Sequence, residues 1–263
     1  MARRKPKLLA PVRPNVGIEV AYRKRLERLI DEMSNSVIYW VSATYSANEP
    51  KIAQDALPAE LLTRLMRRLA RRWQKKFDDA ALGLADYFAE SVQKRSDATL
   101  RAILKRAGIA IDFTMTSAQK DVLEATVSAN VALIKSIPAQ YLTKVQGSVM
   151  RSVQSGRDLH SLAQDLTKEH GVTRRRATLI AKDQNNKATA SMHRARQLEL
   201  GIEEAAWLHS AGGNEPRPTH VAQSGKSYNI RTGWYDPAEK KYIQPGEEIN
   251  CKCVSRSILP SFL

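Results

Sequence analysis

Apolar positions recur at spacings of three and four over most of the chain before Gly201, which predicts a succession of amphipathic helices. From Val16 to Ala47 the pattern runs through Tyr22, Leu26, Leu29, Ile30, Met33, Val37, Trp40 and Val41, and Asn48-Glu49-Pro50 breaks it. A second helix is expected from Pro58, a good first-turn residue, to about Lys94. Its apolar stripe is Leu65, Leu69, Trp73 and Phe77. Thr116 with Gln119 reads as a capping box opening a helix that runs to about Lys135. Another is expected after Pro138, stopping near Gly156, followed by a short one over Asp158–Glu169 with Asp158 capping its first amides. Gly171 ends that helix, and Thr173 then caps a last long one that stops at Gly201.

Beyond Gly201 the period changes. Trp207, Val221, Tyr228, Ile230, Trp234, Tyr242 and Ile243 sit in short runs between the turn signals Gly212-Gly213, Ser224-Gly225 and Pro245-Gly246. The fold class expected is therefore mainly α with a small α+β or loop-rich carboxy-terminal module, an elongated helical body followed by a compact knuckle of short strands. The segments expected are a flexible basic arm at 1–14, a helical body at 15–155, a further helical region at 156–202, and a short-strand module at 203–263 ending in Cys251-Lys252-Cys253.

Composition adds to this picture at three points. A hydrophobic content of 43% is enough for a packed core, and an aromatic content of 6% favours helices over an all-β design. A formal charge of +15 attracts polyanions or acidic protein surfaces. That charge is most concentrated on one helix, where Arg67, Arg71 and Lys75, with Arg68, Arg72 and Lys76, line a face that can track a phosphate backbone or simply be solvated. The two cysteines lie one residue apart, a separation that strains a disulfide, so free thiols and a reducing compartment are expected. Met1–Lys7 resembles a signal-peptide n-region but no h-region follows, and no stretch of about 18 charge-free apolar residues is evident. The chain is expected to be soluble and intracellular when made.

Common catalytic signatures fail. Ser224-Gly225-Lys226-Ser227 ends like a phosphate loop, but His220 stands where the first glycine is required. There is no Gly-x-Ser-x-Gly elbow and no His-Glu-x-x-His pair. His160, His170 and His193 fall in helices, where surface or satisfied core roles are the default. The arrangement with metal character is His220 with Cys251 and Cys253, a donor set suited to zinc, with His209, Asp236 or water as a fourth ligand. The plainer alternative is two buried thiols on an interior strand, with His220 hydrogen-bonded to a loop. A catalytic zinc would need an acid or base nearby, for which Glu215 is the obvious residue.

Three ordered segments carry a family resemblance. The first is Gly156-Arg157-Asp158-Leu159, then Gly171-Val172-Thr173-Arg174-Arg175-Arg176-Ala177 leading to Ile180-Ala181-Lys182-Asp183-Gln184-Asn185-Asn186-Lys187. Next come Arg194-Ala195-Arg196-Gln197, Gly201-Ile202 and Trp207. The last comprises Glu215-Pro216-Arg217-Pro218-Thr219-His220, the Gly225-Lys226 turn, Pro245-Gly246 and Asn250-Cys251-Lys252-Cys253. Over about Gly156–Pro260 the chain resembles the phage head-morphogenesis family, the Mu F-like minor head proteins. Lys182 and Lys252 stand where that pattern has arginine, keeping the charge and losing bidentate geometry. The resemblance implies a non-enzymatic minor capsid protein of the virion, made in the host cytoplasm. Its partners would be the portal and other head proteins, with packaged DNA as a further contact and no membrane during assembly. A stand-alone, sequence-independent DNA-binding protein is the alternative from a different class, and a zinc-dependent hydrolase the third.

Overall fold

A computed structural model describes residues 7–47, 57–155, 159–210 and 215–259. The expectations placed on Asn48-Glu49-Pro50, Gly156-Arg157-Asp158, Gly212-Gly213, Pro260 and the first six residues lie outside these. In chain order the elements are β1 (Lys7–Leu8), α1 (Val16–Ala47), α2 (Leu57–Arg106), α3 (Ser117–Gln154) and α4 (Leu159–Glu199). Then follow β2 (Glu204–Leu208), α5 (Pro218–Gln223), β3 (Ser227–Asn229), β4 (Trp234–Asp236), β5 (Lys241–Ile243) and β6 (Val254–Leu259). The fold is thus mainly helical with a small module of short strands at the end, as the change of period at Gly201 indicates.

The helices are fewer and longer than the sequence punctuation suggested. Pro138 lies inside α3, not ahead of a new helix. The buried positions Ile134, Ile137, Tyr141, Val145 and Val149 stay in phase across it, so packing outweighs the loss of one backbone bond. Gly171 likewise sits within α4, between the buried Leu162 and Leu166 on one side and Ala177 and Ala181 on the other. A glycine inside a helix costs only about 1 kcal/mol, which that stripe offsets. Lys94, the expected end of the second helix, is mid-helix in α2, whose buried face continues through Leu100, Ile103 and Leu104. By length and composition alone α3 is also apolar enough to cross a membrane, with 22% of that window buried. The sequence expectation missed it because isolated charges such as Glu124 and Lys135 interrupt the apolar run.

The chain divides into two compact units. One comprises Val20–Ala85 and Ser128–Ile180, and its elements among the described residues are all helices. Tyr22, Leu26, Ile30, Met33, Val37 and Val41 form the buried stripe of α1, matching the expected pattern except that Leu29 is half-buried and Trp40 exposed. Buried hydroxyls are paired across this unit: Tyr22 donates to Asn130 at 3.0 Å and Tyr141 to Ser34 at 3.1 Å. Arg174 grips Asp31 through both carboxylate oxygens, at 2.6 and 2.5 Å, and His170 lies 2.8 Å from the same carboxylate. Burial opposes ionisation of Asp31, but the bonds from Arg174 and His170 outweigh it and hold the carboxyl below its usual range.

The other unit comprises Met1–Glu19, Asp86–Val127 and Ala181–Leu263 and contains every strand. Its four-stranded sheet has the order β1-β6-β2-β3, and β4 and β5 form a separate hairpin. The arm expected to be flexible over 1–14 is partly structured. Lys7 and Leu8 pair with Leu259 and Ile258, the Leu9 amide donates to Ser257 at 2.9 Å, and Leu9 and Val12 are buried. A two-residue strand with no alternation to display cannot be read from local sequence. α4 closes on Gly201, which adopts φ +68, so that the amides of Gly201 and Ile202 return to the carbonyls of Leu198 and Gln197. Ile202 then enters the core beside Trp207, Ile230 and Ile243. Each of the four long helices contributes residues to both units, so the segment boundaries at 155/156 and 202/203 follow sequence character rather than these units.

Candidate functional site

The module after Gly201 is organised around Trp207, fully buried on β2. Its ring meets His220 at 5.2 Å, Tyr228 at 5.8 Å and Trp234 at 5.3 Å between centroids, all edge-on. Such contacts add to burial because the positive edge of one ring meets the negative face of another. The aromatic cluster holds His220 of α5 against the segment just before β6.

There Cys251 and Cys253 are buried, free thiols on an irregular stretch leading into β6 and not on the interior strand considered as an alternative. Cys251 Sγ is 3.6 Å from His220 Nδ1, and Cys253 Sγ is 3.7 Å from the same nitrogen. The ligand atoms of His220, Cys251 and Cys253 all lie within 4.8 Å of one another. His209, just past the end of β2, brings its Nδ1 to 3.6 Å from Cys253. Asp236 stays on the far side of His220, its Oδ2 3.3 Å from Nε2, an approach too poorly angled to count as a hydrogen bond. Asp236 is itself fixed by Thr219 Oγ1 at 3.2 Å and by the Ala238 amide at 3.0 Å.

The two thiols are pushed in opposite directions. A hydrogen bond from Cys253 holds Cys251 well below the usual thiol range, at about 4, against the opposing effect of burial; His220 and the amides of Cys253 and Gly246 add to the lowering. The same bond, with burial and the Cys251 charge, pushes Cys253 up.

α4 serves as the mount for this loop. Asp183 Oδ1 accepts the Asn250 amide at 2.7 Å, and Asn186 Nδ2 donates to the Cys251 carbonyl at 3.2 Å. Asn250 adopts φ +58, a conformation Asn tolerates better than most residues. Gly246, at φ +85, passes so close to α4 that a Cβ there would stand 2.9 Å from that of Ala190. Further along, Arg194 donates to the carbonyls of Ile230 and Arg231 at 3.0 and 2.8 Å. Gln197 donates to Ser255 and Ser257 at 3.0 and 2.9 Å. Arg217 secures the loop from the other side through the Ile249 carbonyl at 3.1 Å.

Most of the residues singled out in the sequence therefore converge. Asp183, Arg194, Trp207, Arg217, His220, Asn250, Cys251 and Cys253 all build or hold the knuckle, whereas Arg196 faces Asp97 and Phe113 instead. Gln184 is half-buried and its amide reaches Asp183 at 3.4 Å. Asn186 and Gln197 stand out in the sequence only as members of longer strings, and their bonding roles have no signature beyond polarity on the buried side of a helix. Lys182 and Lys252, the two positions lacking arginine, are neighbours. Burial, then the hydrogen bond and charge of Lys182, lower the Lys252 pKa, while Glu19 opposes this.

The cationic face on α2 belongs to the helical unit. Arg67, Arg68, Arg71, Arg72, Lys75 and Lys76 are all exposed. Lys75 is paired with Asp79 at 3.1 Å, and Lys76 with Glu32 at 2.5 Å while lying 4.9 Å over the Trp73 ring. Among the described residues Arg67, Arg68, Arg71 and Arg72 have no ion pair, Arg72 lying 5.9 Å over the Trp73 ring, so the net positive field of this face comes chiefly from these four.

Residues 143–256 match the family described as phage Mu protein F like protein. An uncharacterized protein of Haemophilus influenzae (strain ATCC 51907 / DSM 11121 / KW20 / Rd) is 28% identical over 258 residues, which cover 95% of this chain and 55% of that protein. The chain thus spans about half the length of the curated relative it matches. No solved structure matches.

Proposed function

Starting from residues 143–256 as a region of the phage Mu protein F-like family, we propose that the protein is a non-enzymatic minor head component of a tailed phage, carried in the virion. It acts in head assembly next to the portal. The observation that carries this reading is that the family match falls on the stretch that builds and mounts the knuckle. A structural role is supported by what its polar residues do. Asp183, Asn186, Arg194 and Gln197 are engaged in fixing loops and strands to α4, a rigidity that suits a docking end.

The test is retention of the purified full-length protein on the portal protein of the same phage, at low and at high salt. Retention that survives high salt is the expected result, because a specific interface is sustained by packed apolar groups that salt does not screen. Loss of portal binding at both salt levels overturns the reading.

Contact with packaged DNA is a second, subsidiary proposal, favoured by the exposed cations of α2. Changing Arg67, Arg71 and Lys75 together to Gln is expected to weaken DNA retention and flatten its salt dependence. Removing one cation that neutralises a phosphate lowers the slope of log affinity against log salt by about 1. Lys75 contributes least, since Asp79 already neutralises it. Thermal stability should stay unchanged, as all three side chains are exposed. Equal DNA affinity for the triple variant and the parent at moderate salt would assign this face to solvent. Tight DNA binding without portal binding would favour the stand-alone DNA-binding alternative.

A further inference from the structure

We propose that His209, His220, Cys251 and Cys253 form a closed zinc centre, with Asp236 as its outer carboxylate. The inference does not depend on the head-assembly reading.

Distances carry the first part of the argument. In tetrahedral zinc sites Zn–S is about 2.3 Å and Zn–N about 2.0–2.1 Å, which makes the sulfur-to-nitrogen edge of the tetrahedron about 3.6 Å. Cys251 to His220, Cys253 to His220 and Cys253 to His209 measure 3.6, 3.7 and 3.6 Å. Three edges of one tetrahedron are already in place.

Valence carries the second. His220 Nδ1 faces two sulfurs at once, yet an imidazole nitrogen is either one donor or one acceptor. Hydrogen bonding engages Nδ1 with one sulfur at a time, whereas the two sulfurs stand almost equally close, at 3.6 and 3.7 Å. A cation at the common centre satisfies both thiolates and the imidazole together.

The other side of the ring gives an independent sign. His220 is 2% exposed, and its Nε2 has no hydrogen-bond partner, although the fully buried Asp236 carboxylate stands 3.3 Å away. Ligation through Nδ1 places the proton on Nε2, the ring nitrogen that lies 3.3 Å from that carboxylate. Metal-bound histidines almost always donate to such a group, which fixes the tautomer and raises ligand basicity.

Two thiolates with two imidazoles select zinc over calcium or magnesium, which prefer oxygen. The fourth position decides what the centre does. His209 touches the group through Cys253 alone and has to turn its ring toward Cys251 to close the shell. Its backbone is held meanwhile by the amide bond to Ser224 Oγ at 3.2 Å. Four protein ligands leave no open site for water, so Glu215 at the rim of the adjoining pocket has nothing to activate. The centre is structural: it clamps the end of β2, α5 and the segment before β6 into one knuckle, and metal binding there stabilises the folded module directly.

The experiment uses the full-length protein purified with zinc in the growth medium. One zinc per chain by elemental analysis is expected, with thiolate-to-metal charge-transfer and intense visible bands when cobalt replaces it. Thiol alkylation should be slow until a chelator strips the metal. Protein that carries no zinc, alkylates equally fast with and without chelator, and gains no melting temperature on zinc addition overturns the proposal. Since Cys251→Ser can fail by unfolding the module, the ligand assignment rests on His209→Ala, whose side chain is only half-buried. In competition with a chromophoric chelator that variant is expected to bind zinc at least tenfold more weakly, and Asp236→Asn some 10–100-fold more weakly. Parental affinity in His209→Ala would remove His209 from the shell and with it the closed centre.

Discussion

Arg196→Ala is expected to destabilise the protein by about 3–5 kcal/mol, the usual cost of removing one member of a buried ion pair. The Arg196 side chain is 3% exposed and uses its whole guanidinium. Nε and Nη2 form a fork on Asp97 at 2.9 and 2.8 Å, and Nη1 donates to the Thr114 carbonyl and to Glu199, each at 2.8 Å. The guanidinium plane also lies 4.8 Å over the Phe113 ring. Alanine leaves the largely buried Asp97 carboxylate, 17% exposed, without its partner, and such a group then bears much of its desolvation cost. Arg196→Lys keeps the charge but cannot reproduce the fork, so it should fall between the parent and alanine. Urea unfolding of Arg196→Ala, Asp97→Ala and the double variant checks this. The double variant should lose clearly less than the two singles combined, because the second substitution removes a group the first had stranded. A loss below about 1 kcal/mol for Arg196→Ala, judged against that typical cost, would show the pair to be solvated in solution.

Acid should weaken the same unit through His193. This imidazole is 3% exposed, neither ring nitrogen has a partner among the described residues, and burial lowers its pKa to about 4. It lines a cavity of about 20 Å³ with Asn186, Thr189 and Gln197, a volume that fits a single water. The sequence expectation of a surface or satisfied core histidine holds for His160 and His170, which pair with Gln164 and Asp31, but His193 is buried and unsatisfied.

The sign follows from proton counting. Above pH 6.5 His193 is neutral whether the chain is folded or not and contributes no pH dependence. Between 6.5 and about 4 the unfolded chain takes up a proton that the folded one refuses, so stability falls as pH falls. The full effect is roughly 3 kcal/mol at pH 4 or below. His193→Leu removes the titration and the two unpartnered nitrogens. Its melting temperature relative to the parent should therefore rise steadily from pH 7 to pH 4. A constant difference across that range would show that His193 is protonated in the folded protein.

Legibility in the sequence varied with the range of the interaction. Thr116 illustrates the middle case. Its hydroxyl accepts the Gln119 amide at 3.3 Å, as the capping pattern indicates. Gln119, however, turns its side chain to the Met192 carbonyl at 3.2 Å instead of returning to the cap. The first bond spans one turn and is encoded locally; the second depends on which helix lies alongside. Gly171 and Pro138 fail as stop signals for the same reason. Their costs are local, about 1 kcal/mol for the glycine and about 3 for the proline, and the buried stripes running through both positions outweigh them.

By itself the sequence determined the helical stripes, the change of character at Gly201, and the pairing of Cys251 and Cys253 with His220. The first two are written in periods of two to four residues; the third is a donor set that the sequence leaves open between a metal site and two plain buried thiols. Only the tertiary structure decided that Lys7 and Leu8 complete a sheet with β6, that Arg196 finds Asp97 far back on α2, and that His209 rather than Asp236 approaches the thiols. It also made α4 the mount for the knuckle through Asp183, Asn186, Arg194 and Gln197. These contacts join residues tens of positions apart. No local period selects such partners, because the choice is made when the buried faces pack and every polar group shut away from water must find a bond.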